Sequence, residues 1–428
     1  MTITPVPRRP GESYPSSYAQ VAMWLAQRLR PDRTSMHVLV PARLRGALDR
    51  DALAGAFADL VARHESLRTT FVEVDGELRQ VVRATMPVPV SEVDLRAVPS
   101  DQRDGRAHEV AEKLLGQPFD LATGPLLRVS LVRLADDDHL LLMVWHHMIH
   151  DGWSIGLAMT ELRARYARRR GAAAPELPPL PVQYVDYAVW QRRRVARGEF
   201  DEAAARRREE LSVPRPDAVL PCVPARPGGP PRGARRFMTL PGDLIRELRQ
   251  AARPLATTPF HLLLTGYLGL LARYTGCPDL AVGVIVSGRG QPELEHLIGA
   301  FVNTMPVRAV VDENATFRSL VAEVRQATMR AIADQEVPYE LFGLRDVGPP
   351  LRFGCLTQDR STGPADGWDG LTEEPWFHDF DDAIWDFSVA GWVTRDGFEV
   401  VLQYRTDLFD EATVLRFGRH LRSLLEAM

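Results

Sequence analysis

The sequence predicts an α/β protein made of two domains. Unbroken apolar runs of strand length, Leu140–Trp145 and Ala281–Val286, read as buried strands. Helices with one apolar face alternate with such runs in both halves, the pattern of packed sheet and helix layers. At 428 residues the chain is too long for a single core. The stretch Ala174-Pro175-Glu176-Leu177-Pro178-Pro179-Leu180-Pro181 is a stiff, proline-rich crossover, so the domains are drawn as 1–180 and 181–428.

Taken in order, Ser16–Trp24 opens a short helix and Met36–Leu44 alternates as a strand. Asp49 caps a helix that puts Leu53, Phe57, Leu60 and Val61 on one face. Arg63–Phe71 leads to a strand and an Asp75-Gly76 hairpin turn. Within it, Arg68 is either a surface charge or the buried partner of a site carboxylate. Asp101–Gln117 is a polar helix, and strands at Leu126–Leu134 and Leu140–Trp145 flank the acidic turn Asp136-Asp137-Asp138. A helix from Ile155 ends in Arg168-Arg169-Arg170, a solvated terminus that favours positive charge. In the second half Tyr184–Trp190 starts a helix, and Val213–Arg235 is an irregular connector rich in proline and glycine. Thr258-Pro259 begins the apolar helix Phe260–Tyr274. The strand Ala281–Val286 runs into the two-glycine loop Ser287-Gly288-Arg289-Gly290. Leu297–Arg308 leads into a strand, Phe317–Ala333 is a long helix, and Gly354–Pro375 is rich in turn residues. A strand at Phe398–Gln403 and an amphipathic helix Glu411–Met428 close the chain.

Hydrophobic content of 45% and charge of 25% suit a globular protein. A net charge of -4 gives no electrostatic reason to expect nucleic acid or an anionic membrane. Basic charge is nearly all arginine, Lys113 being the only lysine. Cys222, Cys277 and Cys355 are isolated and odd in number, which makes neither a disulfide framework nor a metal cluster and suits a reducing cytoplasm. No apolar span of about 18 residues occurs, and Met1–Pro10 lacks the core of a signal peptide, so a soluble cytoplasmic protein is expected.

Chemistry concentrates in His146-His147-Met148-Ile149-His150-Asp151-Gly152-Trp153-Ser154. Imidazoles at the end of a buried strand, followed by a turn at Gly152, can exchange protons near neutrality. Ser154 is placed to cap the following helix, and Asp151 can be held inward as an ion-pair partner. His146 alone is more simply a satisfied structural residue. His146 and His150 are spaced like zinc ligands one helical turn apart, but a strand and Gly152 are not a helix, so no metal is expected. A phosphate-binding loop is absent, since Ser287–Gly290 lacks the lysine and serine of one. So are a Gly-x-Ser-x-Gly elbow and a cysteine nucleophile motif. Acid–base work by His147 on reactants brought from outside therefore fits better than covalent catalysis.

The motif His146-His147-x-x-x-Asp151-Gly152 resembles the signature of condensation domains of nonribosomal peptide synthetases, shared more loosely with chloramphenicol acetyltransferase. Other stretches resemble that family in its own order. They are Ser17-x-Ala19-Gln20 with Trp24, Arg63-His64-Glu65-x-Leu67-Arg68-Thr69-x-Phe71, and Tyr184-x-Asp186-Tyr187-Ala188-Val189-Trp190. Ile298-Gly299-x-Phe301-Val302-Asn303-Thr304 with Arg308, Gln335–Glu340, and Tyr404–Phe409 follow. One motif departs: the family's Arg-Asp-x-Ser-Arg-Asn-Pro-Leu is here Arg345-Asp346-Val347-Gly348-Pro349-Pro350-Leu351. His150 stands where small residues are common. Heterocyclising relatives replace the histidine pair with aspartates, and non-catalytic recruitment relatives lose the second histidine; this chain does neither.

The resemblance implies two chloramphenicol acetyltransferase-like α/β sandwich lobes in a V, with a tunnel between them. Donor and acceptor carrier proteins would supply 4'-phosphopantetheine arms, the chain having no cofactor of its own, and a free small molecule could replace the acceptor carrier. His147, beside His146, would take the nucleophile's proton or stabilise the charged tetrahedral intermediate. Asp151 would hold the loop by a salt bridge, with Arg289 of the second lobe as first candidate and Arg68 as second. Gly152 would keep the passage open and offer its N–H to an oxyanion. Trp153, Ser154 and Asn303 would support the site, the last two equally well as a helix cap and a loop brace. With an initial methionine, a closing helix and no adenylation or carrier domain, a free-standing condensation enzyme is expected, an excised domain being the alternative. The product is an amide or an ester. A non-catalytic docking module and an epimerase relative are the competing functions.

Overall fold

A computed structural model describes residues 2–9, 11–29, 36–212, 217–221, 232–343, 351–359, 367–376, 378, 383, 385–393 and 398–428. The altered Arg345–Pro350 stretch and Cys222 lie outside them. The chain divides into two units, one of residues 1–199, 289–301 and 363–378, the other of 200–288, 302–362 and 379–428.

The first unit begins with β1 (Tyr14–Pro15), α1 (Tyr18–Leu29), β2 (His37–Arg45) and α2 (Arg50–Arg63). Asp49 caps α2 by accepting the Ala52 N–H at 2.9 Å, and Leu53, Phe57, Leu60 and Val61 are all buried along one stripe. The hairpin β3 (Thr69–Val74) and β4 (Glu77–Val82) turns at Asp75-Gly76, both with positive φ, as a tight two-residue turn requires. After β5 (Val90–Asp94) and α3 (Arg103–Gly116) come β6 (Leu127–Arg133), β7 (Asp138–His146), α4 (Gly152–Arg169) and α5 (Tyr184–Ala196). Every residue of β7 is buried, which is why its sequence shows no alternation.

The second unit contains α6 (Asp201–Ser212), β8 (Gly233–Leu240), α7 (Gly242–Ala252), α8 (Pro259–Thr275), β9 (Asp279–Val286), β10 (Asn303–Val310), α9 (Phe317–Ala333) and β11 (Phe353–Asp359). A short strand β12 (Thr372–Glu374) returns to the first unit before β13 (Phe387–Val393), β14 (Phe398–Arg405) and α10 (Glu411–Glu426) complete the second. The first unit's main sheet runs β12-β2-β7-β6-β5, with only β5–β6 parallel, beside a small sheet β1-β4-β3. The second unit's sheet runs β10-β9-β11-β13-β14-β8 and is parallel where β11 meets β9 and β13. Its helix α8 packs against α7, α9 and α10.

Several expectations are corrected. The domain boundary falls after Glu199 rather than at 180/181, because Val182, Tyr184, Tyr187 and Trp190 share a core with Ile3, Leu294, Leu297, Ala300 and Phe301. The proline-rich stretch lies inside the first unit, and the apolar residues after it decide which core the chain joins. Helix α4 starts at Gly152, with Asp151 as its cap in place of Ser154. The arginines at its end are not merely solvated: Arg169 pairs with Asp59 and Arg170 with Asp369. Within the segment read as an irregular connector, residues 233–235 already belong to β8. The turn-rich 354–375 holds β11 and β12. Gly354 sits inside β11 because the Trp385 ring fills the space a Cβ would take.

Candidate functional site

The histidine stretch leaves β7 in a single 3-10 turn, His147–Ile149, and enters α4. His146, the last strand residue, is fully buried. Its Nδ1 accepts the Met148 N–H at 3.3 Å, so the proton is on Nε2, which lies 3.2 Å from Gln27 Oε1. Burial, seconded by His37 and His147, pulls its pKa down to about 3. A neutral imidazole with both nitrogens engaged braces the turn.

His147 is half-buried, and its backbone N–H donates to Met36 O at 2.7 Å, tying the turn to the start of β2. The His150 ring stacks against its ring. Gly152, the first helical residue of α4, is exposed, as is Trp153, whose indole N–H donates to Glu295 O at 3.1 Å.

Asp151 is wholly buried and its two oxygens are shared among four donors. Oδ1 accepts the Ser154 N–H at 2.8 Å, and the Ser154 hydroxyl lies 2.7 Å away. Oδ2 accepts the Phe301 N–H at 3.1 Å, and the Arg289 guanidinium reaches both oxygens at 3.2 and 3.3 Å. Arg289 also donates to the carbonyls of Leu294 and Leu297 and lies over the Phe301 ring at 4.2 Å. Burial draws its pKa below the usual arginine value, with Asp151 opposing. Arg289 therefore holds Asp151. Arg68 does not: it faces Glu65 at 3.6 Å and donates to Arg83 O. Arg289 was expected from the second lobe, but residues 289–301 belong to the first unit. Asn303 lies in the second unit, where its amide donates to Gln335 O and Val337 O at 3.0 and 2.6 Å, the arrangement of a loop brace. Ser154 is a loop brace too: its hydroxyl accepts the Gly299 N–H at 3.0 Å and lies 2.9 Å from Gly299 O.

Residues the sequence reading did not single out complete the support. His64 Nδ1 accepts the Ile298 N–H at 3.4 Å, which puts its proton on Nε2, facing Glu161 at 3.0 Å. Burial depresses the His64 pKa despite Glu161; burial would raise Glu161, but the His64 N–H together with the charges of Arg63 and Arg165 holds the carboxyl low. Ser66 donates to Ile298 O at 2.7 Å and Tyr184 to Ala300 O at 2.8 Å. His64 and Tyr184 are fixed positions of family-like motifs, which is the signal that could have found them; Ser66 stands at an unspecified position of its motif. No group of three or more His, Cys, Asp or Glu among the described residues is arranged to hold a metal ion. No single helix among them is long and apolar enough to cross a membrane.

A half-buried imidazole beside a rigidly held turn is an arrangement suited to proton exchange with a bound reactant. Comparison with known proteins agrees on what the chain resembles. A model of the condensation domain matches residues 11–428. A linear gramicidin synthase of Brevibacillus parabrevis is 37% identical over 97% of the chain, which spans 8% of that relative. Phosphinothricin tripeptide synthetase PhsC of Streptomyces viridochromogenes is 35% identical over 99% of it, and the chain spans 40% of that relative. Among solved structures, the X-domain in its complex with OxyB from teicoplanin biosynthesis superposes with a TM-score of 0.82 at 28% identity, covering 100% of this chain and 95% of that one.

Proposed function

The chain belongs to the condensation-domain family of nonribosomal peptide synthetases, and from that premise we propose that it is catalytic. It transfers an acyl or aminoacyl group from a carrier-bound phosphopantetheine thioester to an amine, giving an amide, or to a hydroxyl, giving an ester. The observation that carries this reading is His147: a half-buried imidazole on a turn whose neighbours, His146 and Asp151, are fully committed to structure. In the reaction His147 accepts the proton of the attacking nucleophile or stabilises the charge that develops on the thioester carbonyl, each worth a substantial factor at one well-placed group. Asp151 and Arg289 keep the turn in place and touch no reactant. The partners are a donor carrier protein and an acceptor, carrier-bound or free.

A second reading, recruitment without catalysis, is favoured by the likeness to an X-domain solved in complex with OxyB. Turnover separates the two. With a donor carrier loaded as thioester and a panel of amine and hydroxyl acceptors, the wild-type chain is expected to form product, and His147→Ala to lower the rate about 10²–10⁴-fold. A wild-type chain inert toward every acceptor, or His147→Ala as active as wild type, would overturn the catalytic assignment. Loss of α-hydrogen label from a carrier-bound aminoacyl group without acceptor would point to epimerisation.

A further inference from the structure

The ring against His147 belongs to a residue the mechanism has not used. His150 is 2% exposed, and its ring centroid lies 5.1 Å from that of His147 with planes 27° apart. The Trp145 ring lies 5.6 Å from it. His150 Nδ1 is 3.1 Å from His146 O, and since a carbonyl only accepts, the His150 proton is on Nδ1. This contact ties the ring to the last residue of β7.

The titratable groups that bear on His150 are His147 and His146, and burial with these two neighbours keeps it neutral. Asp151, next in the chain, is turned to Arg289 and Ser154. His150 is thus an uncharged, oriented, buried ring with one face toward the reactive imidazole.

The torsion that sets a histidine ring's plane has a broad energy profile, so something must choose it. We propose that His150 is a positioning residue for His147: its anchored ring sets the plane and rotamer of the imidazole that handles the proton. The proposal rests on the catalytic reading of His147. It also explains why a buried polar ring stands where an aliphatic side chain would pack more simply.

The test uses the full chain and three variants, His147→Ala, His150→Ala and His150→Phe. One readout is turnover of a loaded donor carrier across pH; the other is the NMR titration of His147 with labelled histidine. His150→Ala is expected to lower kcat about 10- to 100-fold while KM for the loaded carrier stays within about twofold. Its His147 midpoint should move up by about 0.5 pH unit or more as water replaces the ring. His150→Phe keeps a dry ring without the anchor, so its midpoint should stay near wild type and its kcat fall in between. If both His150 variants leave the His147 titration and the pH–rate profile as in wild type while His147→Ala is inactive, the positioning role is overturned. If His147→Ala is fully active, the functional reading fails instead, and the titration of wild type against His150→Ala still decides whether His150 orients its neighbour.

Discussion

Asp151 shows how much one carboxylate can organise. It caps α4, receives the Phe301 N–H and neutralises Arg289, all from a fully buried position. Asp151→Ala strands a buried guanidinium and removes a helix cap. Breaking a buried pair typically costs about 3–5 kcal/mol, so the variant is expected to unfold at markedly lower urea or to accumulate as insoluble protein. Equilibrium unfolding checks this; a midpoint equal to wild type would show that the pair contributes nothing net. At this scale the sequence was partly legible. An aspartate beside histidines at a strand end signals an inward partner, but Arg289 was named, ahead of Arg68, only through the family resemblance. The tautomers of His146 and His64, set by backbone N–H groups that no local pattern announces, left no mark in the sequence.

The segment 289–301 has no regular structure among its residues beyond one short turn, yet side chains from several elements of the first unit hold its backbone. Ser154, His64, Ser66 and Tyr184 all hydrogen-bond its backbone between Ile298 and Ala300. Gly299 is pressed so closely on Tyr184 that an added Cβ would overlap the ring. Tyr184 is completely enclosed and hydrogen-bonded, so it cannot swing away. Gly299→Ala is therefore expected to destabilise the protein by about 1–3 kcal/mol or more through overpacking. A thermal melt unchanged from wild type would show that the segment shifts freely. Helices α2, α8 and α9 were legible because caps and apolar periodicity agree within a short window. Strands β11 and β13 were not, because parallel pairing and burial on both faces erase alternation.

For the whole molecule, acid is the condition most revealing of the design. His146 is held near 3, and burial keeps His150, His64 and His37 below the ordinary histidine value. An unfolded histidine takes a proton near pH 6.5, so below that pH the unfolded chain binds more protons than the folded one. Stability is thus fully present above about pH 6.5 and falls as pH drops toward the folded values, by about 1.4 kcal/mol per pH unit for each histidine still neutral in the fold. Glu161, held low, adds to the loss only at pH below about 4.5. Urea midpoints at pH 7.5, 6.0 and 5.0 should decline steadily; a flat series would mean these rings titrate freely. That two cores exist was readable from length and from the repeated α/β style. Which stretches join which core was not, since that depends on packing between residues far apart in the chain.

The chain changes unit after residues 199, 288, 301, 362 and 378, and the first unit's sheet takes its outer strand from β12. A hybrid made by a single cut near the middle would pair one parent's Asp151 and β2 with the other parent's Arg289 and Glu374. Exchange of one unit between relatives therefore keeps its own pairings together only when its separate stretches travel as a set, which no single crossover in the gene can achieve.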